Sequence, residues 1–249
     1  NPVIRSSAFD SRASSDSERM TLDGAVNKTA IMLAILISTA AISWNFPSPF
    51  IVMLSYIGIF AAAIASVVTF GFWMPFIGFI INPRPYLAPK TWLVFAFGEG
   101  FFIGLISLSF ETMFPGIVLE AVSLTFCVAA TLLFLYKSGI VKPSQNFVLM
   151  VCSAVFGIFL FYIGTLIYSL VTGVSPEIFS GSSNASIGLS LFIVAMAAFS
   201  LVLDFDIIEQ SAEYGSPKYM EYFGAMALVT TLIWLYIEIL RLLAKFRSR

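Results

Sequence analysis

The sequence predicts an all-α polytopic membrane protein, a bundle of seven transmembrane helices, and three observations carry that prediction. Hydrophobic residues make up 59% of the 249 and charged residues only 11%, against roughly a quarter charged in an ordinary soluble domain. No charged side chain occurs between Lys28 and Arg84, so this stretch could not cover a water-facing surface. Apolar runs of about 20 residues, the length that crosses ~30 Å of hydrocarbon as a helix, recur along the chain. An outer-membrane barrel would instead show short alternating segments.

Seven segments meet that length: 29–46, 51–81, 91–110, 116–136, 146–172, 186–208 and 221–245. The first two share the charge-free stretch. Pro75 is expected to kink the second, and Asn82-Pro83-Arg84-Pro85 to end it. The third contains Gly100-Phe101-Phe102-Ile103-Gly104, a GxxxG pattern that lets helix backbones approach closely. The fourth leaves the apolar phase at Leu135-Tyr136-Lys137, and the fifth follows Lys142. The sixth holds Asp204 at the end of a run without charge from Ile178 through Leu203, and the seventh holds Glu238. The expected organisation is a polar tail over residues 1–27, flexible and without a cleavable signal sequence, followed by one membrane domain over 28–249.

Lys and Arg distribution sets orientation. Arg5, Arg12, Arg19 and Lys28 precede the first span; Arg84 and Lys90, Lys137 and Lys142, and Lys218 lie in every second loop. The alternate loops at 45–49, 111–115 and 173–185 contain none. This alternation puts the N-terminus in the cytoplasm. Arg241, Lys245, Arg247 and Arg249 break it, because seven full crossings place them outside. Either the last helix departs from the rule or one segment re-enters without crossing, with the region between the sixth and seventh spans as the suspect.

The composition also excludes chemistry. Histidine is absent, which removes Ser-His and Cys-His nucleophile pairs and most transition-metal sites. No cofactor and no enzymatic activity are expected, and an aspartyl protease would want a Gly-Asp motif that is missing. A net charge of −1 leaves no nucleic-acid footprint. Cys127 and Cys152 read as small buried packing residues.

Carboxylates at membrane depth are costly and mark functional sites by default. Asp204 and Asp206 lie about 200° apart around a helix. Asp206 instead aligns with Glu209 and Glu213 as an acidic face or a plain solvated helix end, while Asp204 shares its face with Ile208 and Ser211 and should point into protein or a wet cavity. Glu238 has two rival partners. Arg241, three residues on, can form an ion pair with it; Asp204 can share a proton with it across helices, giving a coupled pair that serves as a pH-dependent latch or cation site. Such carboxylates, with carbonyl oxygens, suit a hard cation such as Ca²⁺. Glu99, between Gly98 and Gly100, is a third acid inside a span, in a pathway or a structural hydrogen bond. Glu111 and Glu120 lie nearer the outer loop.

The C-terminal third carries a resemblance. Leu203-Asp204-Phe205-Asp206-Ile207-Ile208-Glu209-Gln210-Ser211-Ala212-Glu213-Tyr214-Gly215 resembles the sixth-helix signature of the Bax inhibitor (TMBIM) family, and Leu235-Tyr236-Ile237-Glu238-Ile239-Leu240 resembles its last helix, where an Asp occupies the position of Glu238. The likeness covers most of residues 29–246, has its specific motifs within 201–242, and is closest to the family's bacterial branch. It implies a seven-helix bundle of Bax-inhibitor type, an integral protein of the bacterial inner membrane, and a pH-sensitive Ca²⁺ leak gated by protonation of an acid pair. By position that pair is Asp204 and Glu238, with Asp206 as a possible substitute. The alternative implied function is a non-transporting regulator that binds a membrane-bound protease, with the polar tail as its handle.

Overall fold

The computed structural model describes residues 19–70, 84–174 and 176–249. They form α1 (Leu22–Asn45), α2 (Pro49–Phe70), a 3-10 turn (Pro85–Leu87), α3 (Ala88–Met113), α4 (Ile117–Lys137), α5 (Gln145–Thr172), the short α6 (Glu177–Ser180), α7 (Asn184–Glu213) and α8 (Tyr219–Arg247). Seven of these helices are long and apolar enough to cross a membrane, and no strand is present among the described residues. The expected class, an all-α protein with seven spans, is the one observed. The proposed kink at Pro75, the end of the second span at Asn82 and Pro83, and the charges of the tail up to Glu18 lie outside the described residues.

Helix ends follow their caps more closely than the hydropathy. α1 starts at Leu22, inside the segment expected to be tail, because Thr21 accepts a hydrogen bond from Gly24 N at 3.0 Å and Asp23 occupies the first turn, where its charge meets the helix dipole. Ser144 caps α5 in the same way through Phe147 N. At the start of α4, Glu111 accepts from Gly116 N at 2.6 Å and Val118 N at 3.1 Å. Gly116 adopts φ 84° there, a conformation glycine reaches without steric cost.

The chain groups into two compact units, one comprising residues up to Leu108 together with Asp206–Val229, the other Ser109–Phe205 with Thr230–Arg249. In the first unit small residues set the packing. A Cβ at Gly100 would come within 2.6 Å of Leu36 O, and one at Gly104 within 2.8 Å of Ala40 Cα. The GxxxG pair is thus the surface on which α1 rests. A Cβ at Gly58 would lie 2.9 Å from Gly98 Cα, and Ser55 Oγ donates to Phe101 O at 3.2 Å, so α2 takes a neighbouring face of α3. The start of α8 closes on α3 through Trp92 against Tyr222, with ring centroids 5.3 Å apart.

In the second unit the core combines aliphatic and aromatic side chains. Ile158, Ile193 and Met196 are buried together, with Tyr162, Leu189, Phe199 and Trp234 around them. Phe147 of α5 meets Phe199 of α7 edge to face at 5.6 Å. Cys127 and Cys152 are both exposed free thiols, which corrects the expectation of burial. The outer face of a spanning helix meets an apolar medium, so a small hydrophobe need not turn inward to leave water.

Candidate functional site

Thr231, Glu238, Arg241 and Lys245 follow one another on α8 at spacings of seven, three and four, so they share a face within about 80° and extend about 21 Å along the axis. All four belong to the second unit, as does Asp204 near the end of its portion of α7.

Asp204 faces protein. Its carboxyl is hydrogen-bonded by Thr231. Its Oδ2 is fully buried and takes no hydrogen bond among the described residues. Ile208 and Ser211, expected on the same face, are both buried. An unpartnered buried carboxylate oxygen is expensive, which makes Asp204 the most costly polar group at the site.

Glu238 is only 2% exposed. Its Oε1 accepts from Tyr162 Oη at 2.7 Å and from Arg241 Nη1 at 3.0 Å. Arg241 also lies over the Tyr162 ring, 5.8 Å from its centroid. No hydrogen bond joins Asp204 to Glu238. Asp204 meets α8 at Thr231, and Glu238 follows two turns later, about 10 Å along the helix, within reach of the guanidinium three residues on. In this conformation the acids are two stations on one stripe, and the direct proton-sharing contact is not made.

Lys245 continues the stripe. It is 8% exposed and donates to Ser190 Oγ at 2.8 Å and to Ser186 O at 3.4 Å. Beyond it, Arg247 donates to Pro115 O and to Glu120 Oε1, each at 2.7 Å, and Arg249 bonds to Asn184 Oδ1. The C-terminal end of α8 is therefore held at the α3–α4 turn and the start of α7, the ends whose loops lack Lys and Arg. α8 is continuous over Tyr219–Arg247.

Glu99 lies in the first unit, partly buried between the close-packed Gly98 and Gly100, and it takes no hydrogen bond or ion pair among the described residues. Asp206, also in that unit, accepts from Gln210 Nε2 at 2.6 Å, while Glu209 and Glu213 are exposed. No three acidic or thiol groups among the described residues converge to hold a metal ion. Asp204 and Glu238 alone fall short of the six to eight oxygens Ca²⁺ takes.

Glu221 is a further buried acid, one that its place in the sequence does not single out. It is 1% exposed at the start of α8. Oε1 accepts from Thr21 N at 3.0 Å and Thr21 Oγ1 at 3.1 Å, and Oε2 from Lys28 Nζ at 2.5 Å. Lys28 also lies over the Tyr222 ring at 4.6 Å. A Cβ at Gly24 would overlap the Glu221 carboxyl. Met20 N donates to Ser216 O at 2.7 Å, so the entry to α1 is tied to the α7–α8 turn. Glu221 could be read from sequence only as a first-turn acid, and Tyr162 and Thr231 had no signal at all. Lys245 had one, its seven-residue spacing from Glu238.

No curated protein and no solved structure matches the chain. A family model described as Bax inhibitor 1 like matches residues 1–248, nearly the whole length and both acid-bearing helices. The chain belongs to the Bax inhibitor 1-like family of integral membrane proteins.

Proposed function

We propose that the protein is a passive leak for cations, Ca²⁺ among them, whose conductance is set by protonation of Asp204 and Glu238. The observation that carries this reading is the buried Oδ2 of Asp204, without a partner among the described residues, at the inner end of a stripe that continues through Glu238. A carboxylate kept there without a fixed cation is suited to receive a passing one. Glu238 works as a latch: held by Arg241 and Tyr162 it is closed to cations, and released it offers a second carboxylate on the same face. Glu99, Asp206 and Glu209 are further acids, all in the first unit. No catalytic step is assigned to any of them.

The Lys and Arg pattern of the N-terminal segment and alternate loops supports a cytoplasmic N-terminus, and the resemblance to the bacterial branch of the family suggests a bacterial inner membrane. The second reading, a regulator that binds a membrane-bound protease, rests on the polar tail.

The test is Ca²⁺ flux into liposomes containing the reconstituted protein, followed against pH. An ionised Asp204 attracts a cation and a protonated one does not, so wild-type flux falls as the site takes up protons. Asp204→Asn, which cannot ionise, should hold the flux at its low-pH level throughout. An unchanged pH profile in that variant overturns the mechanism.

A further inference from the structure

The polar stripe on α8 changes sign along its length. Asp204, bonded to Thr231, is an acid at its inner end. Glu238 and Arg241 form an ion pair in the middle. Lys245 closes the outer end as a cation whose hydrogen-bond partners, Ser190 Oγ and Ser186 O, are both neutral. Along the stripe two carboxylates, Asp204 and Glu238, are followed by two cations, Arg241 and Lys245. Lys245 makes no salt bridge among the described residues; its hydrogen bonds are to neutral oxygens, and the Glu238 charge acts on it from farther off.

We propose that Lys245 is a specificity-determining residue, a cationic stopper that limits outward access of divalent cations to Glu238. The proposal rests on the leak reading and adds to it the element that keeps conductance low. Lys245 follows Glu238 by two turns, about 10 Å along the same face, so its charge acts on any ion that approaches the carboxylate from the helix end. The repulsion is twice as large for a divalent ion as for a monovalent one at the same place. The stopper therefore discriminates by valence as well as by sign.

The neighbouring serines allow a clean test. Ser186 and Ser190 are one helical turn apart, so without the ammonium Ser190 Oγ can donate to Ser186 O, the common serine back-bond. Lys245→Met keeps length and removes charge; Lys245→Arg keeps charge; Lys245→Gln is neutral with a donor for Ser190, and carries the same test where the Met variant fails to reconstitute. Each is placed in liposomes, and Ca²⁺ and K⁺ fluxes are measured beside wild type. Lys245→Met should raise Ca²⁺ flux about tenfold and K⁺ flux less, while Lys245→Arg stays within about twofold of wild type.

Ca²⁺ flux in both neutral variants within about twofold of wild type overturns the stopper, and if Asp204→Asn still alters flux, the leak reading survives that loss. A rise in Lys245→Met that Asp204→Asn does not reduce in the double variant supports the stopper and overturns the role of Asp204. Absence of protein-dependent flux in every variant overturns both.

Discussion

Lys28→Met tests the energetics of the first unit directly, because it strands Glu221. The carboxyl is 2% exposed and its ammonium partner 15%, at 2.5 Å. Removing one member of a buried pair costs about 3–5 kcal/mol, mostly through the charge left behind. Here two hydrogen bonds from Thr21 remain, and the exposure of Lys28 gives water a path to the site. Both place the cost at the lower end, about 3 kcal/mol. At ~2–4 °C per kcal/mol for a domain of this size, the melting temperature should fall by roughly 6–12 °C. The assay is thermal melting by circular dichroism in detergent. Lys28→Met/Glu221→Met, which removes both charges, should recover most of the loss. A Lys28→Met melt within about 1 °C of wild type, or a double variant less stable than Lys28→Met, would refute the reasoning.

Two further outcomes follow from the same contacts. Tyr162→Phe removes one of the two hydrogen bonds held by Glu238, a bond to a charged group worth ~1.5–3 kcal/mol; the melt should fall accordingly, and in the leak assay the loosened latch should raise Ca²⁺ flux. Deletion through Gly24 removes Thr21 and Met20 and should lower the melt; loss of protease binding in that deletion with flux intact would favour the regulator reading.

The seven spans were legible because length and apolarity determine what can cross a bilayer, and neither needs tertiary information. The Glu238–Arg241 pair was legible too, since three residues on a helix bring side chains together whatever surrounds them. The choice between Arg241 and Asp204 was not. It turns on where α7 meets α8, and that contact falls at Thr231, a residue with nothing in its neighbours to mark it. Tyr162 is one tyrosine in an apolar helix, and only the tertiary fold brings its hydroxyl to Glu238. Glu221 and Lys28 are 193 residues apart, each beside an apolar run where a charge reads as a helix end. The exposure of Cys127 and Cys152 escapes the rules of a water-soluble core, because the outside of these helices is itself apolar.

The placement of Lys245, Arg247 and Arg249 beside the α3–α4 turn and the start of α7 has a consequence for biogenesis. In the proposed orientation these cations are carried outward against an inside-negative potential, at ~2.3 kcal/mol per charge per 100 mV. Charge bias cannot drive that passage and works against it. The last helix must instead be captured by helices already in place, with Ser190, Glu120 and the Pro115 carbonyl as receptors for its charges. Its insertion is then the final, tertiary-dependent step of assembly.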